Sequence, residues 1–149
     1  MPSRPLVSLL LVLPLSAAAA DSVRFNRDIR PVLSDKCFHC HGPDEKERKA
    51  DLRLDLREAA LKGGKSGHPG IDLQKPENSE VLRRVLTTDE DDLMPPSDLH
   101  KPVTPAEADL LRRWITEGAP YEAHWAFIPP VAESPQPGGR NPIDGFLLR

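Results

Sequence analysis

The residues best suited to chemistry lie within Cys37-Phe38-His39-Cys40-His41, which holds both cysteines of the 149-residue chain and two of its five histidines. The pattern C-x-x-C-H is the attachment signature of c-type haem. Two thiols three positions apart can each form a thioether bond with a haem vinyl group, and the next histidine then lies under the iron, where it can ligate. We therefore predict haem attachment at Cys37 and Cys40 and an iron ligand at His41, with His39 as a spacer.

The cysteine pair has two weaker interpretations. Two cysteines in an exported protein often form a disulfide, but the two-residue spacing and the flanking histidine favour haem. A zinc site usually requires four ligands, and the chain has no second cysteine pair that could complete one. Haem attachment is the leading interpretation, and a disulfide or a zinc half-site remains the alternative.

Met94 is the candidate for the second axial ligand, because it is the only methionine after the initiator. A single methionine is ordinarily a filler of core gaps. This one follows an acidic run and precedes Pro95 and Pro96, so we place it in a loop that the fixed φ of proline keeps stiff. Thioether sulfur is a good haem ligand. We predict Met94 as the distal ligand, and His68 and His100, each expected in an exposed loop, as the alternatives.

Apolar residues at helical spacing predict four helices around this site. The first covers residues 23–36 and leads into the haem motif, with Asp28 as its N-cap. The second covers residues 56–62 and the third residues 77–86. The fourth covers residues 104–118, and we expect it to pack across the first helix and close the haem pocket.

Two of these helix starts are predicted from capping boxes. Asp55 with Glu58 marks the second helix, and Thr104 with Glu107 marks the fourth, where Pro105 suits the first helical position. Apolar and charged residues alternate over residues 52–56, but no second run of this kind is available to pair with them. We therefore predict a short extended segment there and an all-α fold.

The composition favours a small domain whose core includes a cofactor. A chain of 149 residues predicts one domain, yet only 38% of the residues are hydrophobic and 5% aromatic. The 17 prolines imply much loop and extended chain. A covalent haem would supply apolar surface that the side chains lack, and burial of such surface is worth roughly 25 cal/mol per Å².

Residues 1–20 have the pattern of a secretory signal peptide. Arg4 provides the positive region, residues 7–15 are apolar, and residues 16–20 are small, with cleavage expected after Ala20. An uncleaved anchor is the alternative, although a bilayer span takes about 20 apolar residues. Cleavage leaves 19 basic and 23 acidic residues, a net charge of −4, which argues against a nucleic-acid partner. We predict an exported protein, periplasmic or extracytoplasmic.

The composition changes again after residue 120. Residues 121–140 begin with aromatic side chains and then become rich in proline, which is typical of a tether leaving a domain. Residues 141–149 begin like a helix that is too short to be stable alone. We therefore predict a haem domain over residues 21–120, a linker over residues 121–140, and the start of a truncated following domain over residues 141–149.

Several motifs together resemble the planctomycete-type cytochrome c domain. They lie at residues 23–31, 37–42, 52–55, 94–96, 104–107 and 124–127. The resemblance implies a small cytochrome c-like helical domain wrapped around one covalent haem c, at the front of a larger exported protein. By the same resemblance, Cys37 and Cys40 would be the attachment residues, His41 the proximal ligand and Met94 the distal ligand.

Three functions are compatible with these features. The leading one is electron transfer with both axial positions filled, the partner being a redox protein or an adjacent domain of the same chain. The acidic run at residues 89–92 could guide a basic partner. The second is a catalytic or gas-binding haem with a labile sixth ligand, and the third is a haem-bearing recognition or structural module of a larger enzyme. No acidic pair suggests general acid–base chemistry, so we predict an electron carrier rather than a catalyst in this segment.

Overall fold

The computed structural model describes residues 22–129 and Ile143. Five α-helices follow one another in this part of the chain: α1 (Arg30–Lys36), α2 (Phe38–His41), α3 (Arg57–Lys62), α4 (Glu80–Leu86) and α5 (Pro105–Thr116). A π-helical turn precedes α1, and short 3-10 turns lie between or after the helices: Phe25–Ile29, and then Pro76–Asn78, Ser97–Leu99 and Trp125–Phe127. The described residues contain no strand, so the all-α prediction is confirmed. The predicted signal peptide, most of the proline-rich tail and nearly all of residues 141–149 lie outside the described residues.

The chain becomes helical at Phe25, before the cap that was predicted at Asp28. The Asp28 carboxylate accepts a hydrogen bond from the backbone amide of Arg24 at 2.8 Å, and it also pairs with Arg27 at 2.7 Å. The Asp28 carboxylate therefore satisfies a free backbone amide at the start of the helix from a position inside the first turn. The predicted N-cap was wrong because the sequence does not show whether an acid satisfies the free amides from in front of the helix or from within it.

The starts of α3 and α4 also differ from the prediction. The Asp55–Glu58 capping box does not form, because Leu56 is the N-cap of α3 and the Asp55 carboxylate pairs with Arg53. The predicted third helix is interrupted at Ser79, which is buried and whose hydroxyl accepts a hydrogen bond from the Asp72 amide at 2.9 Å. This bond ties the preceding loop to the start of α4.

An aromatic cluster lies at the centre of the core. The ring of Phe25 is 5.7 Å from that of Trp114 and 4.4 Å from that of Tyr121. The polar groups of two of these rings donate to backbone carbonyls. The indole N–H of Trp114 donates to Pro120 at 2.9 Å, and the hydroxyl of Tyr121 donates to Leu54 at 2.9 Å. Aromatic pairs of this kind contribute about 0.5–1.5 kcal/mol each beyond their buried area. The cluster therefore joins the start, the middle and the end of the described chain.

Helix α5 begins as the sequence predicted. The Thr104 hydroxyl accepts from the Glu107 amide at 3.3 Å, and the Glu107 carboxylate accepts from the Thr104 amide at 2.7 Å. The buried face of α5 carries residues at helical spacing: Ala108, Leu111, Trp114 and Ile115. This face packs on the Phe25–Ile29 turn and on α4, so the predicted packing of the last helix across the first is confirmed.

The two ends of the described chain lie side by side. The amide of Val23 donates to the Glu117 carboxylate at 3.0 Å, and the amide of Asn26 donates to the Glu122 carboxylate at 2.9 Å. The first residues of the predicted linker thus contact the first helical turn. The predicted boundary between the haem domain and the linker, at residue 120, stays a prediction.

Candidate haem-binding site

The C-x-x-C-H motif forms a short helix directly after α1. The amide of Cys37 donates to the carbonyl of Leu33 at 2.8 Å, and the carbonyl of Cys37 accepts from the amides of Cys40 at 3.2 Å and His41 at 2.8 Å. Residues three apart share one face of a helical turn. The two cysteines are free and partly buried, so their thiols lie on the same side of α2.

Four of the predicted site residues line a single cavity of about 270 Å³: Cys37, Cys40, His41 and Met94. The first three come from α2 and the residue before it. Met94 comes from the loop between α4 and the Ser97–Leu99 turn. The fold therefore brings together a local motif and a thioether that lies far from it in the sequence.

The wall of this cavity is largely apolar. Its aliphatic and proline residues come from three segments: Leu52 and Leu54; Val81 and Val85; and Pro95, Pro96 and Leu99. Val81 and Val85 are one turn apart, so they occupy one face of α4. Helix α5 contributes no lining residue, and the expectation that it closes the pocket directly was wrong. Its apolar face packs on the Phe25–Ile29 turn and on α4 instead.

The His41 side chain has an unsatisfied polar atom. Its Nδ1 is buried and has no hydrogen-bond partner among the described residues, and an unpaired buried polar group costs free energy. Burial lowers the pKa of His41, the charge of Arg84 acts in the same direction, and the backbone of Lys49 opposes the shift. The imidazole is therefore biased toward its neutral form, which is the form that binds metal ions.

The other histidines considered as ligands or spacers differ in their position relative to the cavity. His39 is exposed and is not among the cavity-lining residues, which agrees with a spacer. His68 is exposed but does line the cavity, whereas His100 is exposed and does not. Among the alternative distal ligands, His68 is thus the one that the cavity geometry retains.

Charged residues at this cavity were not predicted from the sequence. Four cations line it, Lys36, Lys49, Lys65 and Arg84, together with one carboxylate, that of Glu80, which pairs with Arg84. They are brought together from α1, two loops and α4, so the sequence offered no local signal for the group beyond the position of Lys36 next to Cys37. Cations at the cavity wall complement a ligand that carries carboxylates. Two thiols on one helical face, an imidazole with an unpartnered nitrogen, a thioether and an apolar wall therefore fit a haem c.

Comparison with protein families agrees with this donor set. Residues 37–98 match the family described as Planctomycete cytochrome C. The chain contains a planctomycete-type cytochrome c domain. The match begins at the first cysteine of the motif and extends beyond Met94, so it includes all four candidate residues of this cytochrome c domain. The family implies haem c as the cofactor. No match to a curated protein or to a solved structure was found.

The folded unit of the cytochrome c domain is larger than the matched segment. Phe25 lies before the match, and Trp114 and Tyr121 lie after it, yet all three belong to one packed cluster. Over residues 22–129, no helix of the domain combines the length and the apolar character needed to cross a membrane.

Proposed function

We propose that this cytochrome c domain binds one haem c and transfers electrons. Cys37 and Cys40 would hold the group through thioether bonds, and His41 and Met94 would be the axial ligands. The observation that carries the proposal is that these four residues line one cavity, although Met94 comes from a different part of the chain than the motif. When bound, a haem with both axial positions filled supplies a one-electron carrier that cycles between the ferrous and ferric states.

The protein's residues would tune this carrier in three ways. The buried imidazole nitrogen of His41 would serve as one ligand, and the Met94 thioether would favour ferrous iron, which raises the reduction potential. The apolar walls, with Leu54 and Val81 among them, exclude water from the site. Cations at the wall, such as Lys49, would offset the negative charge of haem carboxylates.

We propose an extracytoplasmic location for the domain. Cytochrome c domains are typically extracytoplasmic, and residues 1–20 have the charge and apolar pattern of a signal peptide. The domain would pass electrons to a redox partner protein or to an adjacent domain of the same chain, which residues 121–140 would tether. Residues 141–149 would be the entrance to that following domain.

The proposal is tested on the full chain exported from a host that attaches haem c. A pyridine haemochrome assay should give one haem per chain, and the haem should remain bound under denaturing conditions. Cys37→Ser and Cys40→Ser should each retain haem through the one remaining thioether and shift the reduced spectrum. A chain that is folded and exported but free of haem would contradict the proposal.

Axial ligation is tested separately with carbon monoxide. The reduced wild type should bind carbon monoxide slowly, because Met94 occupies the sixth position, and Met94→Ala should bind it rapidly. His68→Ala examines the alternative ligand at the cavity, and His100→Ala is a matched control at an exposed histidine outside it. Rapid binding by the wild type would favour a gas-binding or catalytic haem instead.

A further inference from the structure

The segment after α4 turns back on the helix that precedes it. The amides of Asp92 and Leu93 donate to the carbonyl of Asp89 at 3.2 and 2.9 Å, which closes a tight turn. The amide of Met94 then donates to the carbonyl of Arg84 at 3.0 Å. The last four carbonyls of a helix have no partner within the helix, so Met94 satisfies one that α4 leaves free.

A network of charged side chains holds the same turn against α4. The Glu80 carboxylate accepts from Arg83 at 2.7 and 2.9 Å and from Arg84 at 2.8 Å. The other nitrogens of both guanidinium groups reach Asp92. Arg83 lies 2.7 Å from one Asp92 carboxylate oxygen, and Arg84 lies 3.2 Å from the other and 3.3 Å from the Asp92 backbone carbonyl. Two cations and two carboxylates thus balance in charge.

This network differs from an ordinary surface ion pair. The Glu80 and Arg84 side chains are 10% and 27% exposed, and those of Asp92 and Arg83, at the rim of the network, are 37% and 45% exposed. Exposed ion pairs contribute little to stability, whereas charge-assisted hydrogen bonds that are partly shielded and share a planar guanidinium are stronger and more directional. Because Glu80 orients both arginines, the position of Asp92 is determined by α4, the helix whose Val81 and Val85 line the cavity.

We propose that Asp92, held by Arg83 and Arg84, is a positioning residue that keeps the Met94 thioether on the haem iron. The inference rests on the proposed His41/Met94 ligation. Asp92 precedes Met94 by two residues, so fixing its side chain restricts the backbone that carries the sulfur. Loss of this hold frees the turn and increases the population in which the sulfur is off the iron.

The acidic run at residues 89–92 has two structurally different parts. Asp92 forms ion pairs with the two arginines, whereas Asp89, Glu90 and Asp91 are exposed. No side-chain hydrogen bond or ion pair of Asp91 is found in the described part of the chain. Asp91 is therefore a matched control for Asp92, since the same substitution removes the same charge from the neighbouring position.

The test compares Asp92→Asn, Asp91→Asn and the wild type as full-length, haem-loaded proteins. Three readouts report on the iron–sulfur bond: the sulfur-to-iron charge-transfer band of the ferric protein, the rate of carbon monoxide binding to the ferrous protein, and the reduction potential. We expect Asp92→Asn to weaken the band, to lower the potential and to bind carbon monoxide about tenfold faster. The loss of one charged hydrogen bond changes an equilibrium by about this factor. Asp91→Asn should match the wild type, and Asp92→Glu should recover most of the band.

Further measurements keep the inference separate from the proposed function and from simple unfolding. Haem content and helical content should be unchanged in Asp92→Asn. The milder variant Arg83→Gln, which leaves Arg84 on Asp92, should show a smaller effect of the same sign. If Met94→Ala alters all three readouts while Asp92→Asn and Arg83→Gln alter none, Asp92 does not position Met94. If Met94→Ala alters none, the proposed ligation is wrong and the positioning role fails with it.

Discussion

The backbone carbonyl of His41 accepts a hydrogen bond from the amide of Leu54 at 2.8 Å. The carbonyl of Leu54 accepts in turn from the Tyr121 hydroxyl at 2.9 Å, and the Tyr121 ring packs on Phe25 at 4.4 Å. Leu54 is itself buried and lines the cavity. The backbone of the proposed proximal ligand is thus linked to the aromatic cluster through one intermediate residue.

Tyr121→Phe should destabilise the domain by about 1–2 kcal/mol. The substitution keeps the ring that packs on Phe25 and removes only the hydroxyl, so the buried Leu54 carbonyl loses its donor. Denaturant titration of the haem-loaded protein measures the change in the free energy of unfolding. An unfolding curve identical to that of the wild type would mean that the hydroxyl does not hold Leu54.

Gly63→Ala should be several times more destabilising than Gly67→Ala. Both glycines have positive φ, 84° and 75°, and the ψ of −176° at Gly63 lies in a region that essentially only glycine adopts, so each alanine incurs a backbone cost of about 1–3 kcal/mol. A Cβ at Gly63 would also lie 1.9 Å from the His68 carbonyl oxygen, whereas a Cβ at Gly67 has no neighbour within 4 Å. The loop from Gly64 to His68 lines the cavity, so the clash should reach the site.

The two glycine variants form a matched pair, and thermal melting with parallel measurement of haem content compares them. Gly67→Ala reports the cost of a positive φ without a clash, and the difference between the two reports the clash together with the restricted backbone of Gly63. Equal melting temperatures would contradict the close approach of the His68 carbonyl to Gly63.

Thr104→Ala should cost about 1 kcal/mol of stability, because it removes the side chain that accepts from the Glu107 amide. Thr104→Ser retains the hydroxyl and serves as the control. The haem spectrum should be unchanged in both, since α5 contributes no residue to the cavity. A change in axial ligation in Thr104→Ala would show that the capping box acts on the site and not only on the helix.

Glu80→Gln should remove part of the acid sensitivity of the domain. Hydrogen bonds from Arg83 lower the pKa of Glu80 from 4.5 to about 2, with burial opposing the shift and Arg84 reinforcing it. A carboxylate whose pKa is lower in the folded state stabilises the fold at pH values above 4.5, and this contribution is lost as the pH falls toward 2. The variant should therefore be less stable than the wild type at pH 7, with the two converging near pH 2.

Unfolding followed at a series of pH values measures this convergence. Glu77→Gln is the control, because it removes a carboxylate of the same type from an exposed position on the Pro76–Asn78 turn. A constant difference between Glu80→Gln and the wild type from pH 7 to pH 2 would contradict the charged interaction.

Local patterns in the sequence predicted the parts of the site that local rules govern. The C-x-x-C-H motif lies within one helical turn, and the Thr104–Glu107 capping box depends on residues three apart, so neither required knowledge of the fold. Gly63 ends α3 with positive φ as a glycine C-cap should, its amide donating to Ala59 at 2.9 Å. These features follow from backbone geometry alone.

Features that depend on competition between possible partners, or on distant contacts, were not predicted. Asp55 has the spacing of a helix cap, but Arg53 competes for its carboxylate. The contacts of Tyr121 were not predicted either: its ring packs on Phe25 and its hydroxyl donates to the Leu54 carbonyl. The composition of a segment does not show which residues it contacts. The contacts of Arg84 could not be predicted either, because they form only when the following turn folds back on α4.

The proximity of Val23 to Glu117 and of Asn26 to Glu122 has a further consequence for architecture. A fold whose entry and exit points are neighbours can be inserted as one module into a longer polypeptide without separating its halves, and it is a suitable starting point for circular permutation. None of these four residues lines the cavity. A covalent neighbour could therefore be attached through either end, or through both, while the opening to the cofactor is left free for a diffusing partner.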